Sequence, residues 1–186
     1  MQSIIFTRSY LQSDLDDIID LQQKNILISI TEKESKQEGF ITVEHTPDLL
    51  ARMNQPHPHF IAKDQNRVVG YVLVMECKFK QDIPVLIDLF SIITNSVYKD
   101  KKIQEDQFFI MGQVCIDKAY RGKGIFRSLY LEMRTQMSAY YNYIITEVSS
   151  KNTRSMNAHA AIGFDVLTTY PYRDDENWLV YILDIS

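Results

Sequence analysis

A nine-residue run, Phe108-Phe109-Ile110-Met111-Gly112-Gln113-Val114-Cys115-Ile116, constrains this chain more than any other segment. Shortly after it come Arg121-Gly122-Lys123-Gly124 and a switch to helical periodicity. A strand this continuously apolar has both faces covered, which puts it at the centre of a sheet with helices outside. From Ile125 the apolar residues Leu129, Met133 and Met137 recur at four-residue steps, one buried helix face. Between strand and helix, paired glycines let the backbone fold tightly, so that several N–H groups converge at the positive end of the helix. Arg121, Lys123 and Arg127 add charge there. The combination makes an anion site, better suited to a pyrophosphate than to a lone carboxylate. It is neither Walker A nor Gly-x-Gly-x-x-Gly. The turn alone leaves a plainer reading open, an ordinary helix start with solvated basic side chains.

Other elements arrange themselves around this unit. Residues 4–7 read as a first strand. Ser13 caps a helix, with an acid three residues later and Leu15, Ile18, Ile19 and Leu21 on its buried face. Residues 31–40 are polar, a loop or frayed helix. Thr46-Pro47 opens a short helix carrying Leu49, Leu50 and Met53. Residues 60–62 and 68–75 form a hairpin across 63–67. Residues 79–107 read as an excursion containing a helix over one face of the sheet. Residues 143–148 are the next strand, and a helix from 153 to 162 is stopped by Gly163. Strands 165–169 and 179–184 close a mixed α/β sheet.

The chain's 186 residues suit one domain over 1–186, and its six glycines leave little room for linkers. Twenty Lys+Arg against 24 Asp+Glu give a net charge of −4, which argues against a nucleic-acid partner. No apolar run approaches the ~18 residues of a membrane span. The expectation is a soluble, cytoplasmic monomer or homodimer. Cys77 and Cys115 sit in apolar runs and read as buried thiols, with no disulfide or metal spacing. His57, between Pro56 and Pro58, and His59, just after Pro58, read as a solvated loop, so no metal is expected. Tyr140, Tyr141 and Tyr143 read as aromatic anchors joining helix to sheet.

One strand beyond the turn comes a second constellation, Glu147 to Ser155, then His159 and Gly163-Phe164. Arg121-x-x-Gly124 after an apolar strand, Asn152-x-x-Ser155, and Gly163-Phe164 starting eleven residues after Asn152 together resemble the GNAT superfamily of N-acetyltransferases. The resemblance is firm over 108–164 and does not extend to 79–107. It implies a GNAT-like α/β fold, a mixed central β-sheet with splayed parallel strands flanked by helices. The splayed strands would be 108–116 and 143–148. It also implies acetyl-CoA as cosubstrate, with a small-molecule or peptide amine as acceptor. The thioester's arm would lie along Val114, Cys115 and Ile116, its pyrophosphate on Arg121, Gly122, Lys123, Gly124, Ile125 and Phe126, with Asn152 and Ser155 alongside.

Three positions depart from the family pattern. Phe126 stands where the turn usually has Gly or Ala, and Lys118 where a Pro often precedes it. His159, seven residues after Asn152, replaces a frequent tyrosine that protonates the departing thiolate. An imidazole of ordinary pKa near 6.5 could supply that proton, or the ring could simply pack beside the coenzyme. Glu147, five residues before Asn152, stands where ribosomal-protein N-terminal acetyltransferase relatives have a proposed base. An acid in an apolar strand needs a partner or a task, so Glu147 is either the base or an outward or ion-paired residue. Asp117 and Glu105 are weaker candidates. Gly112 reads as a bulge that would splay its strand, or as a plain small residue. The function expected is direct transfer of an acetyl group to a primary amine in a ternary complex. A noncatalytic acyl-CoA-binding sensor or docking module is the competing expectation.

Overall fold

Alternation of side chains along the strands determines which helices cover which face of the sheet. The computed structural model describes residues 4–26, 43–83, 86–173 and 175–186. The expected loop at 31–40 lies outside them. The chain runs β1 (Ile5–Arg8), α1 (Gln12–Gln23), α2 (Pro47–Met53), β2 (Phe60–Asp64) and β3 (Arg67–Met75). Next come a 3-10 turn (Cys77–Gln81), α3 (Ile87–Asn95) and a small hairpin of β4 (Val97–Tyr98) and β5 (Lys101–Lys102). After a second 3-10 turn (Glu105–Gln107) come β6 (Phe108–Ile116), α4 (Ile125–Met137), β7 (Tyr143–Ser149), α5 (Thr153–Ile162), β8 (Asp165–Arg173) and β9 (Glu176–Asp184). The main sheet has the order β1-β2-β3-β6-β7-β9-β8, and only β6 and β7 are parallel. The expected mixed sheet flanked by helices is therefore present.

Even-numbered Phe60, Ala62, Val72 and Val74 meet Leu129, Met133 and Met137 of α4 on one face. Odd-numbered Ile61, Tyr71 and Leu73 meet Leu15, Ile18 and Leu21 of α1 on the other. On that second face α3 adds Leu89, Phe90 and Ile93 against Phe108, Ile110, Ile145 and Val180. The excursion over 79–107 thus contains a helix, as expected, and that helix builds core.

Four expectations need correction. Helix α1 starts at Gln12 with Leu11 as its N-cap residue, ahead of Ser13. Asp14 is the capping acid: its Oδ2 accepts from the Leu11 N–H at 3.2 Å, while Oδ1 takes Lys63 Nζ of β2 at 2.5 Å. That tertiary partner selects Asp14 over Asp16. His59 is fully buried and bridges elements, its Nδ1 accepting from the Val74 N–H (3.1 Å) and its Nε2 lying 3.3 Å from the Leu50 carbonyl. Cys77 is only half-buried, whereas Cys115 is buried as expected. The closing strands extend beyond the sequence limits because β8 and β9 pair along nearly their whole length. Among the described residues no helix is long and apolar enough to cross a membrane, and no cluster of three or more His, Cys, Asp or Glu could hold a metal.

Candidate active site

The site begins where two strands part. β6 and β7 pair through Phe108–Tyr143, Phe109–Ile144 and Ile110–Ile145, and no further, although both continue. The cause lies in β6: its register against β3 runs Val72–Val114 but Val74–Met111, so one extra residue sits at Gly112-Gln113. Such a bulge bends its strand and flips the phase of the residues beyond it. Gln113 therefore points to the α1 face, where its Oε1 accepts from the Tyr71 hydroxyl (2.5 Å) and its Nε2 donates to the Val43 carbonyl (2.7 Å). Val114 and Ile116 turn to the α4 face. The Asp117 N–H donates to Val69 O (2.9 Å). Antiparallel alternation then turns Cys115 to β3 and leaves the N–H and C=O of Val114 and Ile116 pointing into the gap.

A cleft of ≈ 380 Å³ opens from this gap towards α4 and α5. Val114, Cys115, Ile116, Arg121, Gly122, Gly124, Ile125, Phe126, Asn152 and Ser155 all line it; of the expected ligand residues only Lys123 does not. Lys123 lies over the Tyr120 ring, with Nζ 4.7 Å from its centroid. Gly122 (φ 73) and Gly124 (φ 78) are left-handed, with open space where a Cβ would stand, so the backbone demands glycine there and packing does not. Gly124 ends the turn as the N-cap residue of α4, whose first-turn N–H groups have no intrahelical partner. Gly70 answers a different need: a Cβ on it would come within 2.7 Å of Ile116 Cδ1 and 3.2 Å of Ile125 Cγ2. Phe126 fits despite the departure because its ring packs inward against Tyr130 (4.9 Å) and His159 (5.3 Å).

Arg121 is a brace. Its Nε donates to Ile116 O (3.0 Å) and its Nη2 to Asn25 Oδ1 (2.9 Å), tying the end of β6 to the end of α1. Arg127 and Arg154 also line the cleft. Sequence reasoning missed Asn25 and Arg154 as wall residues; Asn25 is 96 positions from Arg121 and carries no local signal. Asn152 caps α5, its Oδ1 accepting from the Ser155 N–H at 3.1 Å.

The gap passes through the sheet. A second cavity of ≈ 80 Å³ shares Val114, Asn152 and Ser155 with the cleft and adds Glu147, His159 and Trp178. Glu147 lies opposite Val180 in the β7–β9 ladder, on the α3 face. Burial raises its pKa to about 7, and the Tyr170 hydroxyl, donating to Oε2 at 2.5 Å, lowers it in part. His159 is buried on the opposite, α5 side. Its Nδ1 lies 2.8 Å from Ser155 O and so carries the proton, while Nε2 accepts from the Tyr130 hydroxyl at 2.7 Å. Burial pushes its pKa down to about 4, so the ordinary imidazole pKa on which an acid role relied does not apply. Asp117 caps the 3-10 turn at 118–120 and pairs with Arg67, and Glu105 pairs with Lys80; neither lines the cavities.

A family model described as the acetyltransferase (GNAT) family matches residues 24–164. The chain belongs to this family. Solved GNAT folds agree in architecture over nearly the whole chain. A GNAT-family protein from Desulfovibrio desulfuricans superposes with a TM-score of 0.66 at 13% identity, covering 99% of this chain and 100% of its own. An N-acetyltransferase from Staphylococcus aureus gives 0.63 at 16% identity, covering 99% of each chain. The Salmonella typhimurium protein yncA, solved with its cofactor acetyl-CoA, gives 0.64 at 11% identity, covering 98% of this chain and 94% of its own. No curated protein matches the sequence at significance. The cosubstrate of GNAT acetyltransferases is acetyl-CoA, and the residues present suit it. Two left-handed glycines free helix-start amides for a pyrophosphate, two arginines flank them, and Val114 and Ile116 offer backbone edges to an amide-bearing arm.

Proposed function

We propose that this protein transfers an acetyl group from acetyl-CoA to a primary amine by direct attack within a ternary complex. The observation that carries the proposal is a pair of cavities that share Val114, Asn152 and Ser155 as walls: the cleft at the Gly122–Gly124 turn, and the cavity in the gap between β6 and β7 that reaches Glu147 on the far face. In this reading the amides of residues 122–126, with Arg127 and Arg154, hold the pyrophosphate. The N–H and C=O of Val114 and the N–H of Ile116, whose carbonyl is taken by Arg121, hold the arm with Asn152 and Ser155. An N–H of that edge, from Val114 or Ile116, polarises the thioester carbonyl, since charge develops on that oxygen during attack.

The acceptor sets the second requirement. An alkylammonium of pKa ~10.4 is neutral about once in 2,500 at pH 7, a shortfall of roughly 4.6 kcal/mol. Glu147, with a pKa of about 7, is suited to take that proton near neutrality. His159 has no proton to give, because Nδ1–H is held by Ser155 O and Nε2 accepts from Tyr130. We assign it a positioning role, fixing Ser155 and the first turns of α5.

Coenzyme A release assayed with acetyl-CoA and a panel of primary amines tests the proposal. Release with at least one amine is expected; tight binding of acetyl-CoA without release on any acceptor would favour the noncatalytic module. Glu147→Gln is expected to lower kcat about 100-fold while leaving acetyl-CoA affinity unchanged. Full activity of that variant across pH would place the base elsewhere.

A further inference from the structure

Behind Glu147, on the α3 face, lies a third cavity of ≈ 50 Å³. Ile83, Leu86, Leu89 and Ile110 form its apolar side, and Gly112, Glu147 and Trp178 belong both to it and to the cavity in the gap. Among the described residues its ionisable groups are Glu147 and His45. His45 is neutral near pH 7, since burial pushes its pKa down to about 4, and its Nδ1 sits 3.0 Å from Gln22 Oε1. Among the described residues no cation lines this space to meet a carboxylate, and apart from Glu147 no anion lines it to meet a second ammonium.

Gly112 has no conformational reason to be glycine. Its φ is not in the left-handed region, and a Cβ would find Met75 Cβ at 3.7 Å and Met53 Cε at 3.9 Å, ordinary contact distances. What the missing side chain does is leave open the floor shared by the two cavities.

We infer that this pocket receives a compact, uncharged alkyl substituent of the acceptor amine, with Gly112 setting the size accepted. The inference rests on the acetyl-transfer reading of the same site. A water-sized group needs about 10–15 Å³ of such space, so the pocket holds about four carbon-sized groups. The nitrogen then lies near Glu147 and the alkyl group fills the space between α3 and β6. An aromatic ring is too large. Among the described residues a carboxylate at that end would meet no cation, and a second ammonium would have only Glu147, already beside the first, as a counter-charge.

The experiment uses the full chain with ethylamine, propylamine, isobutylamine, isopentylamine and 2-phenylethylamine, together with β-alanine and ethylenediamine as charged counterparts. Coenzyme A release gives kcat/KM for each. Isobutylamine is expected to be best, with 2-phenylethylamine and both charged amines at least tenfold worse. Gly112→Ala should shift the optimum to ethylamine and lower isobutylamine about tenfold. Leu86→Ala, which enlarges the pocket from the start of α3 without touching β6, should shift it to isopentylamine. Trp178 is the chain's single tryptophan and lines both cavities, so its emission reads occupancy whether or not transfer occurs. Emission changes that follow amine size without coenzyme A release would uphold the pocket and refute acetyl transfer to these amines. Release with no size preference, or best with 2-phenylethylamine, would refute the pocket and uphold transfer. If amines neither change emission nor support release, both readings fail.

Discussion

Glu147 and His159 open onto the same cavity from opposite faces of the sheet, and burial favours the neutral form of each. For the acid this means keeping its proton up to about 7; for the imidazole it means losing one down to about 4. The carboxyl is thereby suited to the proposed role of base at neutral pH, and the imidazole is neutral there. The pH–rate profile should therefore rise through about 7, as Glu147 ionises, and show no inflection from His159 between pH 5 and 9. Tyr170→Phe removes the hydroxyl that favours the ionised carboxylate, so the inflection should move to higher pH; a fixed or lower inflection would mean that Glu147 is not the group titrating. The sequence brought both residues to attention but not their protonation. That depends on Tyr170 and Tyr130, 23 and 29 positions away, which only the fold brings alongside.

At the level of elements, the unit β6–turn–α4 was legible almost to the residue. The apolar strand, the glycine pair and the change of period each signal locally and agree. The start of α1 was not legible, because Ser13 and Asp16 imitate a cap while Asp14 is chosen by Lys63 on another strand. Nor was Gly70 read as part of the site, since its constraint comes from Ile116 and Ile125 across the sheet. The glycines of this unit should respond differently to alanine. Gly124→Ala meets no atom and costs only the left-handed backbone, roughly 1–2 kcal/mol, with Gly124→Asn recovering part of it. Gly70→Ala overpacks the joint under the turn, costing about 1–3 kcal/mol, and by displacing Ile125 should also raise KM for acetyl-CoA several-fold. Denaturant midpoints with acetyl-CoA titrations separate the two cases. An unchanged KM in Gly70→Ala would mean that Ile116 alone absorbs the strain.

Across the whole molecule, His45, His59 and His159 are buried, with pKa values lowered to about 4, 3 and 4, and a charge on His45 would further disfavour one on His59. Each binds fewer protons folded than unfolded below pH 6.5, so folding stability should fall as pH drops through that value towards 4. Glu147 works in the opposite sense between about 7 and 4.5, being held protonated in the folded state. Between pH 6.5 and 4.5 the balance is a loss averaging about 2 kcal/mol per pH unit from these groups. Thermal midpoints should drop steeply below pH 6. A flat profile to pH 5 would mean that the histidines find water or an anion on protonation. None of this was legible in the chain: His59, just after Pro58, looked like a surface loop residue until Val74 and Leu50 closed over it.

The parting of β6 from β7 divides the sheet into two half-sheets joined by only three residue pairs. The edge left bare on β6 is therefore an interior edge, and in deuterated solvent it marks a seam. The amides of Val114 and Ile116 face that seam and should take up deuterium well before that of Cys115, which turns to β3. On the proposed placement of acetyl-CoA along this edge, its binding should slow them to the pace of their neighbour, so that the ligand completes the sheet as a missing strand would.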